Sequence, residues 1–401
     1  MNQLDSRRSW LMAAAAALSM FTVFGVGYSF GAFFESITTE FESGSGATAV
    51  VFGITISLSF LLGPFTGALA DRVGPRPVAL LAAVSLAFGL IGTTVVPSIW
   101  LAYVCYGLFV GLAIACGYVP MVAVVGSWFQ EQRALALGAS VAGIGLGTLV
   151  ASPVAAALIN ATSWRTAFVV FAIVGGGSLL LVALVITPGP AYEPAPKRQP
   201  LGELWQLDDF RLLYLALIAT SFGLFVPVVF ITPYAEEQGH SSFAAALLVG
   251  LIGGASIVGR LAIGSIANRY GAARLFRICF LAMSLSQLIW LFSGGAYPAL
   301  VIFALIFGTG YGGFIALSPV VAAARFGMKG LGGILGTWYS AAAFGSFGGP
   351  PLAGWLIDSF DYVAAILFAA AAALVGWALL LPLAEVKKKP DQRPPQRRKA
   401  T

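Results

Sequence analysis

Long apolar runs alternate along the chain with short polar breaks made of Gly, Pro and charged residues. Twelve such runs separate, over residues 10–34, 47–70, 77–97, 99–128, 134–160, 165–187, 211–237, 242–268, 273–293, 297–324, 328–357 and 361–384. Each reaches the ~20 residues that a helix needs to cross hydrocarbon, where the backbone must satisfy itself without water. The pattern predicts an all-α membrane protein with twelve transmembrane helices. The first run follows Arg7 and Arg8, and its about 25 residues exceed the ~7–15 of a signal-peptide core. It reads as the first span.

The polar breaks carry a second pattern. Arg72, Arg76, Arg133, Lys197, Arg198, Arg269, Arg274, Arg277, Arg325, Lys329 and the tail from Lys387 to Lys399 fall on the side of Arg7 and Arg8. The opposite breaks hold Glu35, Glu40, Glu42, Glu236, Glu237, Asp358 and Asp361, with Arg165 the lone basic residue. Basic loops stay in the cytoplasm, so both termini are expected there and the chain is expected in the inner membrane of a cell. Five prolines (Pro188, Pro190, Pro194, Pro196 and Pro200) break the middle of the chain. The expected division is a six-helix half over 1–187, a cytoplasmic linker over 188–210, a second half over 211–384 and a basic tail over 385–401. Residues 201–210 are expected to form a short interfacial helix.

An internal repeat supports the two halves. Gly67, Asp71, Arg72 and Gly74 recur as Gly264, Asn268, Arg269 and Gly271, at an offset of 197. Gly111 and Pro120 recur as Gly310 and Pro319 at 199, and Gly147, Pro153, Leu158 and Ile159 as Gly345, Pro351, Leu356 and Ile357 at 198. Nearly one offset, spanning six helices, makes the halves parallel repeats.

Composition narrows the function. The chain is 59% apolar and 9% charged with a mean hydropathy of +0.91, against roughly 25% charged residues in soluble domains. The net charge of +6 sits in topology-setting clusters rather than in a continuous stripe, so it gives no nucleic-acid surface. Cys105, Cys116 and Cys279 stand singly in apolar runs and read as packed thiols. No metal-ligand cluster, paired acids or nucleophile lies at depth, so neither an enzyme nor a metal or organic cofactor is expected. His240 reads as a solvated loop residue.

Arg260 is the informative exception. It lies about 18 residues into the eighth run and about 8 from its end, roughly 12 Å deep at ~1.5 Å per residue. Placing arginine there costs at least ~2.5–3.5 kcal/mol. No Asp or Glu lies mid-span to pair with it. A substrate anion or backbone carbonyls remain as its partners. Tyr28, Tyr118, Tyr311 and Tyr339 lie in helices that would line a central cavity, where a hydroxyl can meet a substrate oxygen. Ser256 precedes Arg260 by four residues and shares its helix face; Ile144 and Ile315 are apolar candidates for closing the pocket. Asp71, Arg72, Asn268 and Arg269 read as docking and gating residues. The many helix glycines, such as Gly143, Gly145 and Gly147, read as close-packing positions.

Twelve spans, two halves and the loop from Gly67 to Arg76 resemble the major facilitator superfamily. Within it the chain is most similar to the monocarboxylate porter family, as a bacterial member. The residues that carry this are Gly27 to Phe34, Gly117, Tyr118 and Pro120, Trp164 to Phe168, and Arg260. The resemblance implies that Arg260 anchors a substrate carboxylate, with aromatic residues of helices 4, 10 and 11 around it. It also implies alternating access in the lipid bilayer, and a monomer is expected. The expected function is secondary transport of small monocarboxylates, lactate- or pyruvate-like, by proton-coupled symport. The alternative is exchange of another organic acid such as a dicarboxylate. Mammalian relatives carry an Asp four residues before the arginine and a Lys in helix 1; here those positions hold Ser256 and Phe34.

Overall fold

The structure, a computed structural model, describes residues 4–190, 201–327 and 331–383, without the side chains of Leu201 and Asn268. Residues 191–200 of the linker, Lys329 and the basic tail lie outside the described residues, as does the docking role expected of the Asn268 side chain.

Twelve long helices follow one another. The first half holds α1 (Arg7–Glu40), α2 (Ser45–Val73), α3 (Pro75–Val95), α4 (Ile99–Trp128), α5 (Arg133–Ala161) and α6 (Trp164–Val185). The second holds α7 (Asp208–Glu237), α8 (Ser242–Tyr270), α9 (Ala272–Leu291), α10 (Tyr297–Phe326), α11 (Leu331–Ser359) and α12 (Tyr362–Leu379). Eleven are long and apolar enough to cross a membrane. The exception, α11, has 29 residues but spends many on Gly, Ser and Thr, which let its neighbours approach closely. The helix expected over 201–210 is a single turn, Leu201–Leu204, before α7 begins at Asp208.

Local chemistry explains the helix ends. Gly74 and Gly271 close α2 and α8 at φ +86° and +87°, a backbone region that side chains resist. These are the two repeat glycines in one structural role. Ser163, Ser241 and Asp361 cap α6, α8 and α12 by accepting from backbone N–H groups of the first turn. The N-terminus is tied down by Asp5, which accepts from the N–H groups of Gln130, Glu131 and Gln132 at 3.1–3.2 Å. Desolvation pulls its pKa up, and the three N–H donors more than offset this, holding it below its ordinary value.

Large apolar side chains such as Phe292 (80% exposed) and Val95 (77%) face outward. On a soluble surface these would be a liability, whereas against hydrocarbon they are the natural solvent contact. The helices end on a basic face, carrying Arg72, Arg76, Arg269 and Arg277, and an acidic face, carrying Glu35, Glu40, Glu236 and Asp358. On the acidic face Arg165 is paired with Glu40 at 2.5 Å.

The halves meet along two seams. In α2–α11, a Cβ on Gly53 would lie 3.0 Å from the Phe347 carbonyl, and Ser57 donates to the Ala343 carbonyl at 2.8 Å. In α5–α8, a Cβ on Gly145 would meet the Gly253 carbonyl at 2.6 Å. These close approaches are what the helix glycines provide.

Two helices are broken. The α1 helix stops at Tyr28 and restarts at Phe30, with the Ser29 hydroxyl donating to the Val26 carbonyl at 2.9 Å. Likewise α7 breaks at Phe225, followed by Pro227 in the first turn of the new segment. Proline has no N–H to continue the ladder, which explains this second break. Tyr28 and Phe225 are 197 residues apart and pack with ring centroids 6.3 Å apart. The repeat thus places two helix breaks at one level, mid-span.

Candidate functional site

The α8 helix brings Arg260 to this same level. Glycines fix its neighbours: a Cβ on Gly312 would lie 2.0 Å from the Ser256 carbonyl, and one on Gly259 2.1 Å from the Thr309 carbonyl. With no side chains between them, α8 and α10 hold Arg260 beside Tyr311. Tyr28, Tyr118, Tyr311 and Tyr339 all lie within electrostatic range of the guanidinium. The structure brings the four tyrosines and the arginine named from the sequence together at this level.

Arg260 binds across the halves. Its Nη1 donates to the Val141 carbonyl of α5 at 2.7 Å. The backbone partner left open by the sequence is therefore real for one N–H group. It does not account for the rest: Nε and Nη2 are buried and without a hydrogen-bond partner. Buried charged donors left unmet cost more than the ~1–3 kcal/mol of a neutral group. Nε–H and Nη2–H lie along one edge of the planar guanidinium and point in parallel. That edge matches the two oxygens of a carboxylate.

The hydroxyls of Tyr28 and Tyr311 meet at 3.2 Å, joining α1 of one half to α10 of the other. Beside them is a cavity of about 20 Å³ lined by Tyr28, Ile144, Thr148, Phe225, Val228, Ser256, Phe307 and Tyr311 among others. Such a volume holds about one water molecule or methyl group. Ser256 lines the cavity, is buried and donates its hydroxyl to the Gly253 carbonyl at 2.7 Å rather than contacting Arg260. Ile144 lines the cavity. Ile315 is half-buried and, like Arg260, Tyr118 and Tyr339, is not among the residues that line it.

On the acidic side of Tyr28 the path is filled by Phe30, Phe34, Phe52, Phe225 and Phe230, each at most 4% exposed. Phe34 packs edge-on against Phe230 at 5.0 Å, which makes this position an apolar seal between halves. Tyr118, Arg260, Tyr311 and Tyr339 keep intermediate exposure.

The expected docking residues lie away from this site. Arg72 and Arg269 are exposed at the basic face, and Arg269 sits 5.3 Å from the Tyr270 ring; Asp71, next to Arg72 in the chain, is half-buried and has a partner. His240 corrects the sequence reading. It is half-buried, its Nε2 lies 2.7 Å from the Gly295 carbonyl, and its ring packs on Tyr297. The turn at Gly294 and Gly295, both with positive φ, brings that carbonyl to it. Among the described residues no group of His, Cys, Asp and Glu has the arrangement of a metal site.

Sequence reasoning missed Phe225, Thr148 and the Val141 carbonyl. Pro227 in an apolar run was the available signal for Phe225. No sequence signal marks a backbone carbonyl that becomes an acceptor only by tertiary approach.

Comparison with known proteins agrees with this architecture. A model described as Major Facilitator Superfamily matches residues 14–296 and again 213–401. Monocarboxylate transporter 12 of Rattus norvegicus is 27% identical, covering 96% of this chain and 87% of its own length. Monocarboxylate transporter 3 of the same organism is 29% identical over 92% and 78%. Among solved structures, the nucleoside transporter NupG superposes with a TM-score of 0.75 at 14% identity, covering 94% of this chain and 100% of its own. A bacterial homolog of the human lysosomal transporter Spinster, inward-facing and occupied, gives 0.73 at 16% over 93% and 96%. With twelve helices in two repeated halves, a mid-span site between them and a family model matched from residue 14 to the end, the chain belongs to the Major Facilitator Superfamily.

Proposed function

We propose that the protein is a secondary transporter of small monocarboxylates, working by alternating access, with Arg260 as the carboxylate anchor. The observation that carries this is the buried edge of Arg260, whose Nε and Nη2 have no protein partner. A carboxylate meets both donors at once, and the Val141 carbonyl bond keeps the guanidinium oriented while it does so. The small apolar cavity beside Tyr28 and Tyr311 suits a short tail, and a tyrosine hydroxyl suits a 2-hydroxy or 2-keto oxygen. The relatives named monocarboxylate transporters support the same substrate class. One guanidinium leaves the second charge of a dicarboxylate unmatched, which ranks exchange of such acids second.

In this reading the basic face is cytoplasmic, following the distribution of Lys and Arg, and the membrane is a cell inner membrane. A proton is the coupling ion and travels with the substrate carboxylate, since arginine does not release its proton at working pH. The test is uptake of labelled acetate, propionate, lactate, pyruvate and succinate by proteoliposomes. Short monocarboxylates entering saturably, with succinate excluded, is the expected result; uptake of succinate alone overturns the substrate assignment.

A further inference from the structure

The acidic-face ends of the two seams differ, although the repeat makes them equivalent. At the α2–α11 seam, Asp358 of the second half reaches the N-terminus of α2 in the first. Its Oδ1 accepts from Ser45 N–H at 3.0 Å and its Oδ2 from Gly46 N–H at 3.1 Å. The α2 helix has Gly44 at its N-cap position and no side-chain cap of its own. Two of its orphan donors, at the positive end of the helix dipole, are thus met only from the other half. The approach is made possible by Gly354, where a Cβ would lie 2.6 Å from the backbone of Ser45 and Gly46.

The repeat maps Asp358 onto Asn160, at the same offset of 198. Asn160 lies at the acidic end of α5, and the facing helix, α8, is capped from its own half by Ser241. Among the described residues, no hydrogen bond joins Asn160 to α8. Asn160 and Ser242 instead both line a vestibule of about 620 Å³, together with Glu35, Glu40 and Glu236. One seam is bridged at its end, and the other is parted.

We infer that Asp358 is a latch that holds the acidic face shut at the α2–α11 seam and that must let go before the halves can open there. The inference rests on alternating access between two halves and not on which acid is carried. When the halves rock apart, the α2 N-terminus loses its cap and Asp358 returns to water, so the bond weighs only on the closed state. The latch therefore sets the ratio of closed to open carriers without touching the substrate site.

The test uses the full chain in lipid nanodiscs, with Cys105, Cys116 and Cys279 replaced by Ala and spin labels at Glu42→Cys and Ser359→Cys. Distances between the labels are read by pulsed electron spin resonance in the parent, Asp358→Ala, Asp358→Asn and Asp361→Ala. Asp361 is the control, since it caps α12 within its own half by accepting from Ala364 N–H at 2.9 Å. The long-distance, open fraction is expected to rise about threefold in both Asp358 variants, the scale of an exposed carboxylate at a helix N-terminus. It is expected to stay at the parent value in Asp361→Ala. An unchanged distribution in Asp358→Ala overturns the latch, and so does an equal rise in Asp361→Ala, which would reduce the effect to loss of negative charge. Both readings stand whether or not Arg260 binds a monocarboxylate, because no substrate is present.

Discussion

At Arg260 the shape of the cation matters as much as its charge. Lysine keeps the charge but presents a point donor on a flexible stem, without the planar edge formed by Nε and Nη2. Arg260→Lys is expected to lower carboxylate uptake at least ~10-fold, the scale of losing one charge-assisted bond of about 1.5–3 kcal/mol, while detergent-purified protein keeps its melting temperature. Parent-like uptake by this variant would remove the anchor role. The Tyr28–Tyr311 bond makes a second residue-scale prediction. Each single Phe variant should weaken lactate binding by about 0.5–1.5 kcal/mol, and propionate less. Because the hydroxyls share one bond, the double variant should cost less than the two singles added together. Strict additivity in a calorimetric binding cycle would mean that the two act independently. Ser256 gives the third. It sits one turn before Arg260 on the same helix face, so Ser256→Asp places a carboxylate within reach of the guanidinium. The pair competes with substrate until the new carboxyl is protonated, so binding should be weaker at neutral pH and recover as pH falls. Affinity that is flat from about pH 8 to 5, relative to the parent, would show that position 256 does not face Arg260.

At the scale of elements, glycines decide which helices can touch. The α8–α10 contact depends on Gly312, whose added Cβ would fall 2.0 Å from a carbonyl oxygen that cannot swing away. Gly312→Leu is therefore expected to cost at least the ~1–3 kcal/mol of an overpacked core and to separate Tyr311 from Arg260. Its melting temperature and its uptake should both fall. Gly138 in α5 is the contrast, with nothing within 4 Å of an added Cβ. Gly138→Ala should leave uptake unchanged and hold or raise the melting temperature, since alanine is the better helix former by ~1 kcal/mol. If the two variants melt alike, close helix approach is not what the glycines supply.

The whole molecule is two repeats that meet on a site neither could form alone. Arg260 comes from α8 and its carbonyl partner from α5; Tyr311 comes from α10 and its hydroxyl partner from α1. In the proposed transport cycle, a site split in this way is remade each time the halves rock. Coupling is tested at this scale. With a proton as the co-substrate, an inward-directed pH gradient should drive labelled lactate above its equilibrium level in proteoliposomes without internal acid. Uptake that ignores the gradient and demands a carboxylate inside the vesicle would make the protein an exchanger.

Much of this protein was legible before any fold was seen. Length and continuity of the apolar runs determined helices and their number, because only self-satisfied backbone survives in hydrocarbon. The loop charges predict its orientation, and the recurring Asp71 and Asn268 loops revealed the two halves. Arg260 announced itself because a mid-span cation is too costly to be incidental. The sequence could also gather Tyr28, Tyr118, Tyr311 and Tyr339 near it by level along their helices. It could not say which edge of the guanidinium stays unmet, since that depends on a Val141 carbonyl brought within 2.7 Å by the packing of α5 on α8. It placed His240 in water because it could not foresee the turn that brings the Gly295 carbonyl to it. Nor could it distinguish Asp358, which bridges the halves, from Asp361 three residues on, which caps its own helix. Periodicity and charge act along the chain and are written in it; a backbone donor or acceptor has the same chemistry at every residue, and only tertiary approach selects the one that counts.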